Sequence, residues 1–259
     1  MIDAFEFADE LGPLKTIHVH EPSVGLRAVL VVDNVALGPS IGGVRMAVDV
    51  TTEECIRLAR AMTLKNAAAG LPHGGGKAVL YGDPKMPKQD KEQLIRALAN
   101  ALRYTEDYIF APDMGTDEEC MSWVQDEIGR VVALPREIGG IPLDEIGATG
   151  WGLSHVADVA REYCDLELNK ARFVVQGFGA VGMHTARFLT DMGAVLVGAA
   201  DSRGAIHNPD GLDVVRLRDI KAAGGALGEY VDATPLERDA VIDIECDIWI
   251  PAARPDVIH

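Results

Sequence analysis

The chain has 259 residues, enough for two ordinary domains, and its 48% hydrophobic and 25% charged content belongs to a globular protein, not a disordered or fibrous one. A formal net charge of −16 opposes nonspecific binding to nucleic acid, and no apolar run approaches the roughly 18 residues that a membrane span requires. The opening residues lack the basic and apolar stretches of a secretory signal, and the four cysteines are widely spaced with no Cys-x-x-Cys pair. A reduced, cytoplasmic protein with no nucleic-acid or membrane partner is therefore expected.

Along the chain, His18 and His20 alternate on a short strand, and the β-branched run from Leu26 to Val32 forms a strand that ends in a turn at Asp33-Asn34. Thr51 opens a helix, with Glu54 three residues on to complete a capping box. The apolar stripe of this helix passes through Cys55, Leu58, Ala59 and Met62, and Gly70 stops it. Lys65 falls on that stripe and not on the charged face. Taken singly, it is a stem lying along the core with its ammonium reaching water. Gly74-Gly75-Gly76 then read as a sharp turn that brings backbone close to a small ligand, followed by Lys77 and a strand over Ala78–Tyr81. A helix from about Asp90 to Arg103 and a strand over Tyr108–Ala111 lead to Asp113. Thr116, paired with Glu119, is expected to cap the next helix. Strand and helix in alternation predict a layered α/β domain.

The glycine- and proline-bearing stretch 135–147 reads as a connection, placing one domain over 1–140 and a second over 141–259. Thr149 is positioned to cap the helix that follows. Phe173–Gln176 is a short buried strand, and Gly177-Phe178-Gly179-Ala180-Val181-Gly182 comes immediately after it, opening a helix. A second strand, Val195–Ala200, ends at Asp201. A lone Gly-x-Gly-x-x-Gly is weak, but strand, loop, helix and a distal acid together are the dinucleotide-binding arrangement. Gly177 permits the tight turn, Gly179 lets backbone approach a pyrophosphate, and Gly182 lets helix and strand pack closely. The helix N-terminus would face the phosphates. Asp201 would accept hydrogen bonds from the ribose, favouring NAD, while Arg203 two residues on leaves NADP open.

Two lysines in one pocket depress each other's pKa, and burial acts in the same direction, so a lysine tuned toward neutral can work as a general base near pH 7. Asp113 at a strand end could carry the second proton. Each of Lys65, Lys77 and Asp113 also has an ordinary explanation alone, and spacing does not show that they converge. The seven histidines form no His-x-x-x-His or Cys/His cluster, so no metal site is expected.

Gly38-Pro39-Ser40-Ile41-Gly42-Gly43-Val44-Arg45, Lys65–Leu71, Gly74–Lys77, Pro112–Gly115, Ala148-Thr149-Gly150, the dinucleotide loop and Asp247–Ala253 together resemble the glutamate/leucine/phenylalanine/valine dehydrogenase family. The resemblance spans nearly the whole chain. It implies an N-terminal α/β substrate domain, which also mediates homo-oligomerisation, followed by a Rossmann-like dinucleotide-binding domain. It implies reversible NAD(P)-dependent deamination of an L-amino acid to a 2-oxo acid and ammonia. Lys65 would bind the substrate α-carboxylate beside Ile41, Gly42 and Gly43. Lys77 would act in acid–base catalysis through water, and Asp113 would transfer protons at the substrate nitrogen. Thr149, the loop residues 177–182 and Asp201 would hold the cofactor. In glutamate-specific members the residue before the Gly-Gly pair is usually a lysine that pairs with the substrate side chain. Ile41 offers no such charge, and leaving a second carboxylate unpaired costs several kcal/mol. A branched-chain or aromatic amino acid is the expectation, with glutamate, or a catalytically weak binding subunit, as alternatives. Family members run on for roughly another third of this length, so the nucleotide domain is expected to be partial.

Overall fold

The structure, a computed structural model, describes residues 5–253. Met1–Ala4 and Arg254–His259, on which the expectations about the chain ends rest, lie outside the described residues. The chain divides into two compact units, Met1–Pro142 and Leu143–His259.

In the first unit the order is β1 (Lys15–Glu21), β2 (Leu26–Asn34), β3 (Ser40–Ala47), α1 (Thr52–Ala68), β4 (Gly74–Tyr81), α2 (Lys88–Ala101), β5 (Tyr108–Pro112) and α3 (Glu118–Ile128). The five strands form one sheet in the order β1-β2-β4-β3-β5. β3 runs parallel to both β4 and β5, while β2 is antiparallel to β1 and β4. β2 is apolar at consecutive positions because both of its faces are covered. Leu26, Ala28, Leu30 and Val32 join the core that holds Leu94, Ile95 and Leu98 of α2 and Met121 and Val124 of α3. Val29 and Val31 face the other way and pack with Cys55 and Ala59 of α1. β1 is an edge strand and alternates, with Ile17 and Val19 inward and Thr16, His18 and His20 exposed.

Several local expectations are corrected by this packing. The three glycines do not form a turn; they are the first residues of β4, in the middle of the sheet. Gly75 is required because a methyl group there would overlap the backbone of Thr63 in α1, and one on Gly74 would overlap the Asn34 carbonyl. Thr51 caps α1 by accepting from the Glu54 N–H at 3.1 Å, but the Glu54 carboxylate reaches away to Arg45, so no reciprocal box forms. α3 is capped by Asp117, which accepts from the Cys120 N–H at 2.9 Å. Thr116 instead closes the preceding loop, accepting from the Asp113 N–H and donating to the Val44 carbonyl. Lys65 is exposed, and the neighbouring Asn66 takes the buried position, donating to the Gly74 carbonyl at 2.7 Å.

The second unit contains α4 (Leu143–Ile146), α5 (Ala148–Ala160), β6 (Arg172–Gln176), α6 (Ala180–Asp191), β7 (Val195–Asp201), β8 (Gly204–His207), α7 (Val214–Ala222), β9 (Thr234–Leu236) and β10 (Ile248–Pro251). Its sheet has the order β10-β6-β7-β8-β9, with β10, β6 and β7 parallel and β8 and β9 antiparallel to their neighbours. Phe173, Val175 and Leu196 pack with Phe178 and Leu189 on one face, and Val174 and Val197 with Val241 on the other. Thr149 is not a cap. α5 begins one residue earlier, at Ala148, behind Gly147 in a left-handed conformation that glycine adopts without strain. Among the described residues no helix is long and apolar enough to cross a membrane, and no group of three His, Cys, Asp or Glu side chains is placed to hold a metal.

Candidate active site

In the first unit the odd-numbered residues of β3 and β4 share one face of the sheet, the face covered by α1. That alternation puts Gly43 and Arg45 of β3 and Lys77 of β4 on the same side. β5, which pairs with β3, delivers Asp113 immediately after its last residue. The Lys77 Nζ donates to Asp113 Oδ2, and both groups are nearly buried, Lys77 being only 6% exposed. Asp113 Oδ1 accepts from the Met114 N–H at 2.5 Å and lies 3.5 Å from Arg45 Nη2. Arg45 Nη1 is held by Glu54 Oε1 at 2.6 Å. Gly43 makes room for the pair: a Cβ on it would lie 2.7 Å from the Asp113 Cβ, and one on Gly42 would overlap the Gly76 carbonyl. The Gly42 carbonyl accepts from the buried Tyr108 hydroxyl at 2.6 Å. Ile41 is half-buried on the same face of β3, between Gly75 and Ile109 on the neighbouring strands.

Burial pushes the Lys77 ammonium below its ordinary value, opposed by the Asp113 carboxylate and reinforced by the Arg45 cation. Burial pulls Asp113 upward, but Lys77 and then Arg45 outweigh it and hold the carboxyl below the ordinary 3.8. The second cation acting on Lys77 is thus Arg45, where Lys65 was expected. Cys55 lies close by, its thiol donating to the Lys77 carbonyl at 3.2 Å. Burial pushes that thiol up to about 12, so it is an inert core group and not a nucleophile. Lys65, in the last turn of α1, has no ion pair or side-chain hydrogen bond among the described residues. Its ammonium is free to meet an anion.

The second unit carries the glycine loop between β6 and α6. Gly177 has φ +99°, a conformation suited to glycine, and its N–H and that of Phe178 both donate to the Ala200 carbonyl. Gly182 packs so closely that a methyl group would overlap the Gly177 carbonyl, whereas a Cβ on Gly179 would meet nothing within 4 Å. The first hydrogen bond of α6 runs from the Met183 N–H to the Gly179 carbonyl at 2.9 Å, so Ala180, Val181 and Gly182 present N–H groups at the helix start. No side chain caps that end. The Phe178 side chain is buried in the core, leaving only its backbone to the loop surface. Gly177 also abuts Ala252 and Ala253, just beyond β10, at the point where successive parallel strands lie to either side of β6. This is the switch point at which open α/β sheets take ligands. Asp201 ends β7, where it accepts from Lys221 Nζ at 2.7 Å and from the Arg203 N–H at 2.8 Å. Burial raises its pKa, but Lys221 and these hydrogen bonds hold the carboxyl below its ordinary value. The Arg203 guanidinium turns away to the Gly224 and Gly225 carbonyls.

The family model for the Glu/Leu/Phe/Val dehydrogenase dimerisation domain matches residues 13–130, and that for Glutamate/Leucine/Phenylalanine/Valine dehydrogenase matches residues 139–259. The chain belongs to this dehydrogenase family. It is 39% identical over 236 residues to glutamate dehydrogenase A2 of Halobacterium salinarum, covering 86% of this chain and 56% of that protein. It is 35% identical over 240 residues to the NADP-specific glutamate dehydrogenase of Saccharolobus shibatae, covering 87% of this chain and 56% of that one. Among solved structures, the Leu-bound hetero-hexameric glutamate dehydrogenase of Thermus thermophilus superposes with a TM-score of 0.83 at 30% identity, over 95% of this chain and 63% of that one. The chain therefore spans little more than half the length of the curated relatives it matches.

Within this family frame, two participants in the sites had no role in the sequence reading. Arg45 ends the Gly38–Arg45 stretch, and its signal is an arginine in a largely apolar strand, which requires an acidic partner when buried. Lys221 lies twenty residues from Asp201 on a different element, and only the tertiary fold brings the two together.

Proposed function

We propose that the protein takes part in NAD(P)-dependent oxidative deamination of an L-amino acid. The observation that carries the reading is the Lys77–Asp113 pair, nearly buried beside Arg45, in a family whose characterised relatives bear dehydrogenase names. The reaction requires removal of a proton from the substrate ammonium, transfer of hydride from the α-carbon, addition of water to the resulting iminium, and loss of ammonia. The dinucleotide supplies the hydride acceptor. Its fit to the second unit rests on the turn at Gly177, the open space at Gly179, the free N–H groups of α6 and the acid at Asp201. Lys65, exposed at the end of α1, would receive the α-carboxylate. Asp113 would take the proton from the substrate nitrogen, and Lys77, its pKa lowered by burial, would draw a proton from the attacking water.

Glutamate is the first candidate substrate, because the relatives named above are glutamate dehydrogenases. Ile41 favours a second reading, an aliphatic or aromatic amino acid, since it gives a side-chain carboxylate no partner. For the cofactor, Asp201 favours NAD through its ribose-binding position. Lys221, already neutralising that carboxylate, lowers the repulsion a 2′-phosphate would meet. A homo-oligomer built on the first unit remains part of the proposal, and a cytoplasmic location goes with it. Reduction of NAD and NADP should be followed at alkaline pH with glutamate, leucine, valine and phenylalanine. Turnover with glutamate alone would remove the Ile41 reading. Cofactor binding without turnover on any of the four would replace the enzyme by a binding subunit.

A further inference from the structure

The Lys77–Asp113 pair does not stand alone: Arg45 and Glu54 form a second pair directly against it. We infer that Arg45, anchored by Glu54, is a positioning residue that fixes the Asp113 carboxylate and makes Lys77 the group that gives up its proton. This rests on the reading of Lys77 as the acid–base group.

Arg45 is 8% exposed, on the same face of β3 as Gly43, and its Nε is buried without a hydrogen-bond partner among the described residues. Such a burial is costly unless the charge is compensated, and compensation comes from two carboxylates on different elements, Glu54 in the first turn of α1 and Asp113 after β5. Glu54 stands where it could have returned to the Thr51 backbone as a capping-box residue, but it reaches Arg45 at 2.6 Å instead. That choice gives up a local helix contact to hold the guanidinium in place.

The consequences follow from chemistry. A guanidinium stays protonated at every working pH, so it is a fixed positive charge. Its nearest atom faces Asp113 Oδ1, the oxygen also engaged by the Met114 N–H, which leaves Oδ2 directed at Lys77. A fixed cation beside a lysine and a carboxylate keeps the carboxylate ionised and makes the lysine easier to deprotonate. Beside the fixed Arg45 cation and the ionised Asp113, Lys77 is then the group able to release a proton near neutral or mildly alkaline pH. Lysine in place of Arg45 would preserve the charge but lose the fork that bridges two carboxylates.

The test reads Lys77 directly, independent of turnover. The full chain is acetylated with trace acetic anhydride across pH 6–12, and modification of Lys77 is quantified by mass spectrometry. In the wild type the midpoint should lie below the ordinary lysine value. In Arg45→Met combined with Glu54→Gln, which removes the cation without stranding its partner, it should rise by about one unit. Arg45→Lys should stay within about 0.3 units of wild type while lowering kcat more than it raises KM, because the carboxylate is no longer oriented. Should the double variant fail to fold by circular dichroism, Arg45→Gln with Glu54→Gln takes its place. An unchanged midpoint in a folded, cation-free variant overturns the role of Arg45. A wild-type midpoint at the ordinary lysine value instead overturns the acid–base reading of Lys77, leaving the two failures distinct.

Discussion

Lys77 carries its charge where burial works against it, and that sets the pH behaviour expected of the chain. Its folded pKa lies below 10.5, so the neutral base becomes available at lower pH than in an exposed lysine. If Lys77 draws the proton from water, log kcat for deamination should climb with pH and level off below 10.5; a climb continuing past that value would remove Lys77 as the base. Lys77→Ala should abolish turnover while leaving cofactor binding intact, because the glycine loop belongs to the other unit. Asp113 shifts in the same direction, at the acid end of the scale. Its folded pKa is depressed, so the stability it contributes is present above about 3.8 and is lost as pH falls through its lower folded value. Lys65 makes a different case. It is exposed and has no ion pair among the described residues, so Lys65→Ala should leave the melting temperature within about 2 °C of wild type, a surface change of at most about 0.5 kcal/mol. The same variant should raise KM for the amino acid many-fold if the ammonium holds the α-carboxylate. An unaltered KM would free Lys65 from substrate binding.

At the scale of elements, glycines with similar sequence surroundings serve opposite ends, and a pair of substitutions separates them. Gly75 lies under α1, so Gly75→Ala must push Thr63 and its helix off the sheet, at a cost of about 3 kcal/mol in urea unfolding. Gly179 has open space around its missing Cβ and an ordinary φ of −95°, so Gly179→Ala should cost less than about 1 kcal/mol. Yet a methyl group there stands where the pyrophosphate would approach, so NAD affinity should fall at least tenfold. Wild-type NAD affinity in Gly179→Ala would argue against the loop as the cofactor site. This contrast shows why the glycine-rich loop after β6 was legible and the glycine run before Lys77 was not. The first has its cause in neighbouring residues, namely a strand, a tight turn and a helix start. The second has its cause in a helix that packs across it, so the run was read as a turn when it is a strand. Caps followed the same division. Thr51 was read correctly from local chemistry, whereas Thr116 and Glu54 were drawn away by Val44 and Arg45 on another strand. The Lys77–Asp113 contact was legible only through the family pattern, because register between β3, β4 and β5 is a property of the sheet.

At the scale of the whole molecule, each unit has its own two-faced core, and the apolar strands that build both were visible as runs of Val, Leu and Phe. What no run of residues displays is the balance of charge over the folded surface. A net charge of −16 on 259 residues places like charges close together once the chain is compact, and this repulsion opposes folding. Exposed ion pairs such as Lys88–Glu119, Arg216–Asp232 and Arg238–Asp239 offset it little, since water screens their attraction and holding two long side chains together costs entropy. The pairs that matter most, Lys77–Asp113 and Arg60–Asp33, have at least one nearly buried partner and are screened weakly by salt. Raising sodium chloride from 0.01 M to 1 M shortens the screening length from about 30 Å to about 3 Å, which weakens the surface repulsion while sparing those inner pairs. The melting temperature at pH 7.5 should therefore rise with salt, and the rise should shrink as pH is lowered toward 5 and carboxylates take up protons. A melting temperature that falls with salt at pH 7.5 would mean that surface attractions, and not net repulsion, govern the stability of this chain.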